Sequence, residues 1–233
     1  MSIVTVNKGS QGAPFDTSSP ADPSDGWVWF ADFITEADGG DFTLANMAQE
    51  DSRSGSLVNA DAGVSTAISK NAVFGDLTDG ESFAFVCRIK MFTGETRANL
   101  DNISFGIAED VAATIGGTAT HCGFHITQGA TAAADNIAVK YDDAAAAFSE
   151  NFTPANTAAI ADFDMTAYNE YGFLLSRQGS QYTARFFVNG VELGNGHKAT
   201  ANLPAALYTA VFSAAEKGRW EIDYFMQRGV RNA

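Results

Sequence analysis

Between residues 82 and 91 the side chains alternate with a period of two. Phe83, Phe85, Cys87, Ile89 and Met91 fall on one side, while Ser82, Arg88 and Lys90 fall on the other with Ala84 and Val86. An extended strand with one buried face accounts for that pattern; a helix would scatter the apolar set around its axis. The alternation returns along the chain. Ile103, Phe105 and Ile107 oppose Asn102, Ser104 and Gly106, and Cys122, Phe124 and Ile126 oppose His121, Gly123, His125 and Thr127. Ile137, Val139 and Tyr141 alternate with Ala138, Lys140 and Asp142, and Tyr171, Phe173 and Leu175 form a further inward set. Turn chemistry agrees. Arg177-Gln178-Gly179-Ser180 should reverse the chain into a strand over residues 182–188. Asn189-Gly190 suits a type I′ hairpin turn, whose two central residues need positive φ. Two more strands are expected over residues 207–213 and 220–230. The Ala-rich residues 144–148 fit a short helical turn, and no long amphipathic helix is evident. Roughly ten to thirteen strands with so little helix give an all-β two-sheet sandwich or a barrel.

A chain of 233 residues is long enough to bury a core without disulfide or metal staples. Its 14 basic and 28 acidic residues leave a net charge of −14. Phosphate backbones and anionic lipid surfaces repel such a chain, so neither nucleic acid nor membrane is an expected partner. Cys87 and Cys122 are too few for a disulfide framework, and both sit on apolar strand faces, where inert buried thiols are expected. Met1 to Lys8 hold no apolar signal core, and no run of about 18 apolar residues exists, which predicts synthesis in a reducing cytoplasm. Residues 1–26 differ from the rest. They carry three of the five prolines among Gly, Ser and Asp, and read as an extended N-terminal arm ahead of one domain over residues 27–233.

The C-terminal third carries the most specific pattern. It runs Tyr168-Asn169-Glu170-Tyr171-Gly172-Phe173-Leu174-Leu175, then Arg185-Phe186-Phe187-Val188-Asn189-Gly190-Val191-Glu192-Leu193. Leu203-Pro204, Leu207-Tyr208-Thr209-Ala210-Val211-Phe212 and finally Trp220-Glu221-Ile222-Asp223-Tyr224-Phe225 follow. This resembles the closing strands of concanavalin-A-like lectin/glucanase jelly rolls, and in particular the versions found as accessory proteins of tailed-phage virions. The resemblance implies an antiparallel two-sheet jelly roll.

Glucanases of that superfamily carry E-x-D-x-E or E-x-D-x-x-E on one strand, whose two catalytic carboxylates stand about 5 Å apart in a retaining mechanism. Glu221-Ile222-Asp223 matches only the opening, and Phe225 or Met226 stands where the second Glu belongs. On a regular strand Glu221, Asp223 and Phe225 would share a face, so a ring replaces the proton donor. His121 and His125 invite a zinc reading, but on a strand they lie ~13 Å apart, too far for one ion. His197, in Gly194-Asn195-Gly196-His197, reads as loop polarity. Lectin-type calcium would call on Asp101 and Asn102 or on Asp142 and Asp143, which solvated turns explain as well. No catalytic, cofactor or metal site is therefore expected. Trp27 and Trp29 share a parity; with Phe15 they are candidate partner-docking residues, although the two tryptophans could also stack on a sugar or fill the core.

The function expected from the sequence is that of a non-enzymatic structural virion protein. It would decorate or cement the outside of a phage head, binding the major capsid protein and its own copies as a homotrimer, after synthesis in the host cytoplasm. The alternative is a carbohydrate-binding, lectin-like module of a head fibre or tail with glycans as partners. A glycoside hydrolase ranks third.

Overall fold

The computed structural model describes residues 26–31, 42–49, 56–59, 64–70, 74, 77–92, 103–109, 120–144, 146–198, 203, 208–214 and 219–230. Fifteen strands occur among them: β1 (Gly26–Ala31), β2 (Phe42–Ala45), β3 (Met47–Gln49), β4 (Leu57–Asn59), β5 (Ser65–Ser69), β6 (Ser82–Phe92), β7 (Ile103–Ala108), β8 (His121–Thr127), β9 (Asn136–Asp142), β10 (Ala147–Phe152), β11 (Tyr168–Gln178), β12 (Gln181–Val188), β13 (Val191–Lys198), β14 (Thr209–Ala214) and β15 (Arg219–Val230). They form two antiparallel sheets, so the two-sheet sandwich expected from the sequence is the architecture found. One sheet has the order β13-β12-β11-β6-β15-β4-β3, with β1 also laid along β15 to make eight strands; the other has seven, in the order β10-β9-β8-β7-β14-β5-β2.

The period-two sets meet between the sheets. Phe83, Phe85, Cys87, Ile89 and Met91 are fully buried, as are Phe105, Phe124, Tyr171 and Phe173. Phe85 stacks on Phe173 at 4.9 Å within one sheet, and Phe105 meets Tyr171 at 4.9 Å across the gap. Such ring pairs add about 0.5–1.5 kcal/mol each beyond the area they bury. Trp220 donates its indole N–H to Ser65 Oγ at 2.8 Å, a polar rivet from β15 to β5 on the opposite sheet.

Turns behave as their residues require. Asn189 (φ 50°) and Gly190 (φ 78°) make the tight hairpin between β12 and β13. Two expectations change. The described residues of 144–148 form no helical turn: Ala144 takes φ 67°, Asp142 and Asp143 accept the Ala144 and Ala146 N–H groups, and Ala147 opens β10. The segment around His197 is no loop but part of β13, where Gly194 and Gly196 supply positive φ along an edge strand. His197 stacks on Phe148 of β10 at 3.9 Å and so closes the seam between the two sheets.

Candidate functional site

The Glu221-Ile222-Asp223 stretch lies on β15, in the middle of the eight-stranded sheet. A register shift between Ile222 and Tyr224 against β6 changes which side chains share a face. Phe225 is fully buried with Ile222 in the core, so it does not stand beside Glu221 as a regular strand would have placed it. The extra residue of a β-bulge inverts the parity from that point on. Glu221 accepts a hydrogen bond from the Tyr168 hydroxyl, and Glu170 accepts one from Tyr224. Asp223 is held by Arg88 at 2.9 Å, and the Arg88 and Lys90 cations lie 4.8 and 5.4 Å from the centre of the Tyr168 ring. Burial, and then the hydrogen bond to Glu221, push the Tyr168 phenol up, so it remains a donor. Each of the three acids is thus tied to a donor, in a network that links β6, β11 and β15.

The outer face of the seven-stranded sheet is built differently. Ser104, Ala108, His121, Ala138 and Val211 alternate with core residues and lie on the side away from the main core, yet they are 4%, 0%, 4%, 1% and 1% exposed. The centre of this face is therefore covered from solvent, while His125, Asn136, Lys140 and Asp142 along β8 and β9 stay half-buried. Ala108 and Val211 form an apolar cluster separate from the main core, with Ile68 packed against it. Register places Ile68, Val211, Gly106, Gly123 and Lys140 in one row across β5, β14, β7, β8 and β9. Two neighbouring glycines, both buried, stand at the centre of that row, where β7 and β8 approach closely. Glycine is required at both. A Cβ on Gly106 (φ 154°) would lie 2.2 Å from the Cys122 carbonyl oxygen, and one on Gly123 would lie 2.3 Å from that of Phe105.

The row is apolar toward Val211 and polar toward Lys140. Ser104 Oγ meets His125 Nδ1 at 2.8 Å, which fixes the ring and leaves Nε2 as its other polar corner. Burial, and then the Lys140 charge, lower the His125 pKa, so the imidazole is neutral at pH 7. Asn136, whose amide donates to Asn151 Oδ1 at 3.2 Å, and the half-buried Thr127 continue the polar side.

The two histidines are on a strand, on one face, as their spacing implied; that the centre of the face is covered was not legible, because the neighbours come from other strands. Among the described residues no group of three or more His, Cys, Asp or Glu could hold a metal ion. Cys87 and Cys122 are free buried thiols whose pKa values burial pushes well up. Trp27 and Trp29 lie in β1 opposite Gly229 and Gln227 of β15. Phe15, the arm up to residue 25, and Asp101 and Asn102 lie outside the described residues.

No protein-family model matches this sequence, and no curated protein matches it either. Solved structures do. An endo-1,3-β-glucanase from Streptomyces sioyaensis is similar at a TM-score of 0.64 and 12% identity, covering 92% of this chain and 100% of that one. The basic winged bean lectin solved with Tn-antigen gives 0.57 at 11% identity, covering 88% and 98%. Lectin I of Ulex europaeus, solved with the methyl glycoside of α-L-fucose, gives 0.58 at 12% identity over the same shares. The chain has the concanavalin-A-like jelly-roll fold. Lectins and a glucanase share that fold, so the fold alone does not choose between binding and hydrolysis.

Proposed function

We propose that this chain is a non-enzymatic, lectin-type binding module whose saccharide site is the outer face of the seven-stranded sheet along β8 and β9. The observation that carries this reading is the half-exposed polar strip of His125, Thr127, Asn136, Lys140 and Asp142 along the paired strands β8 and β9. A pyranose has the matching character, with apolar C–H patches and a rim of hydroxyls that donate and accept hydrogen bonds. Ser104, His125, Asn136 and Asp142 offer both kinds of partner. Two lectins of the same fold were solved with sugars, which fits the reading. The tied carboxylates at Glu221, Asp223 and Glu170 fit binding rather than hydrolysis, since a retaining mechanism needs a nucleophile and a proton donor about 5 Å apart. A glycan array probed with the purified protein tests it: hits should be lost on His125→Ala, and β-glucans should not be hydrolysed. An array without hits, or turnover abolished by Glu221→Gln, would overturn it.

A second reading, decoration of a phage head, rests on the N-terminal region. Residues 1–25 precede a strand that main-chain pairing ties to β15, which suits an arm anchored at its root. In this reading Phe15, Trp27 and Trp29 dock on the major capsid protein or on neighbouring copies in a homotrimer, with the virion surface as the location. Shared arms would add avidity. Sedimentation of the protein with undecorated capsids is the check; no co-sedimentation, with or without residues 1–25, eliminates it.

A further inference from the structure

We infer that Asn195, on β13, is a site of spontaneous deamidation, and that its conversion loosens the seam where the two sheets meet.

The chain holds two Asn-Gly pairs, Asn189-Gly190 and Asn195-Gly196. Such a pair is open to one particular reaction. The backbone nitrogen of the glycine attacks the asparagine Cγ and closes a succinimide ring; its proton leaves with the side-chain nitrogen as ammonia. Water then adds to either ring carbonyl and opens the ring to aspartate or isoaspartate. Glycine favours the first step because no side chain screens its nitrogen. The fold treats the two pairs differently. Asn189 Oδ1 accepts the Glu170 N–H at 2.9 Å, and Asn189 Nδ2 donates to Asn169 Oδ1 at 2.9 Å. Asn169 is 4% exposed and donates in turn to the Asp164 and Ala167 carbonyls. The Asn189 amide therefore cannot turn toward Gly190 without breaking two anchored bonds. Asn195 is exposed, and among the described residues no hydrogen bond holds its amide.

The backbone adds to the contrast. The β12–β13 register passes from Ala184↔His197 to Phe186↔Leu193, so Gly194, Asn195 and Gly196 stand opposite the single residue Arg185. A bulge of this kind interrupts the ladder. β13 is also the last strand of its sheet, which leaves its outer edge without a ladder among the described strands. Gly194 (φ 67°) and Gly196 (φ 72°) flank Asn195. Little has to open before the amide meets the Gly196 nitrogen.

The products do not fit the place the amide occupies. A Cβ on Gly194 would lie 3.0 Å from Glu150 Oε2, and one on Gly196 would lie 3.9 Å from Glu192 Oε1, so acids flank Asn195 on both sides. A third carboxylate there meets like charge. The nearby cation, Arg185, is already engaged by both Glu192 oxygens. Isoaspartate also adds a carbon to the main chain two residues before His197. The His197 ring, stacked on Phe148 at 3.9 Å, would lose its seat as the strand lengthens.

The test is to age the purified wild-type protein in mildly alkaline buffer and to follow both pairs by peptide mapping and mass spectrometry. Asn195 should deamidate at least about tenfold faster than Asn189, whose two bonds must first break. In urea, where the fold is lost, the two rates should converge. The melting temperature of the aged protein should fall with the fraction converted, while Asn195→Gln keeps its starting value over the same period. Equal rates in the folded protein, or an intact Asn195, overturn the inference. A rate difference that persists in urea overturns it too, since local sequence and not the fold would then be the cause. A converted protein with an unchanged melting temperature overturns the link to the seam.

Discussion

At the scale of single residues the two outer faces differ in how charge is used. On the eight-stranded sheet Glu221 is 7% exposed and depends on the Tyr168 hydroxyl, while Arg88 answers Asp223. The exposed Arg88–Asp223 pair contributes little, about 0–1 kcal/mol. The hydrogen bond to Glu221 matters more, because removing its donor leaves a nearly buried carboxylate underserved. Tyr168→Phe, which keeps the ring beneath Arg88 and Lys90, should cost about 1–2 kcal/mol in urea unfolding. An unchanged midpoint would show that water replaces the hydroxyl. On the outer face of the seven-stranded sheet the half-buried Lys140 has no ion-pair partner among the described residues, and burial and then that lysine lower the His125 pKa.

Individual strands carry features that alternation cannot encode. The bulge near Asp223 is the clearest. Read as a regular strand, residues 221–225 put Phe225 beside Glu221; with one extra residue inserted against β6, Phe225 turns into the core. Register shifts depend on the facing strand, so nothing in residues 221–225 alone announces one. The short strands β2 to β5 were illegible for a similar reason. Three to five residues give too little periodicity to read, and pairing defines them: β5 with β14, β4 with β15, and β2 and β3 in turn with β5 and β4. Gly123 is an element-scale requirement that can be tested. With no room for a Cβ beside the Phe105 carbonyl, Gly123→Ala should force β7 and β8 apart and destabilise the protein by more than about 1 kcal/mol, read as a lowered melting temperature. A variant as stable as the parent would mean that the strands can separate freely.

Over the whole molecule, stability is shared between a ring-filled interior and a seam where the two sheets meet at Phe148 and His197. Burial lowers the pKa of both His125 and His197, with Lys140 adding to the effect at His125 and Asp143 opposing it at His197. The unfolded chain therefore binds protons more readily at these two positions than the folded one. Their contribution to stability is present above the ordinary histidine value of 6.5 and is lost as pH falls below it. Melting temperature should decline from pH 7.5 to pH 5.5, and His125→Gln with His197→Gln should flatten that slope. A slope unchanged in the double variant would assign the pH dependence to other groups.

The all-β class, the inward residue sets and the Asn189-Gly190 hairpin follow from the sequence alone, because they are set by neighbours within a few positions: alternation by the two-residue repeat of a strand, and the turn by its demand for positive φ. The make-up of the seven-stranded sheet's outer face was decided by tertiary structure. Ser104, Gly106, His121, Gly123, His125, Lys140 and Val211 come from β7, β8, β9 and β14, and only cross-strand register places them together. His121 and His125 stood out in the sequence as titratable groups, but the Lys140 and the glycines beside them depend on how β7 and β9 pair with β8. No local pattern specifies that return, since the free energy that selects it comes from burying both inner faces at once.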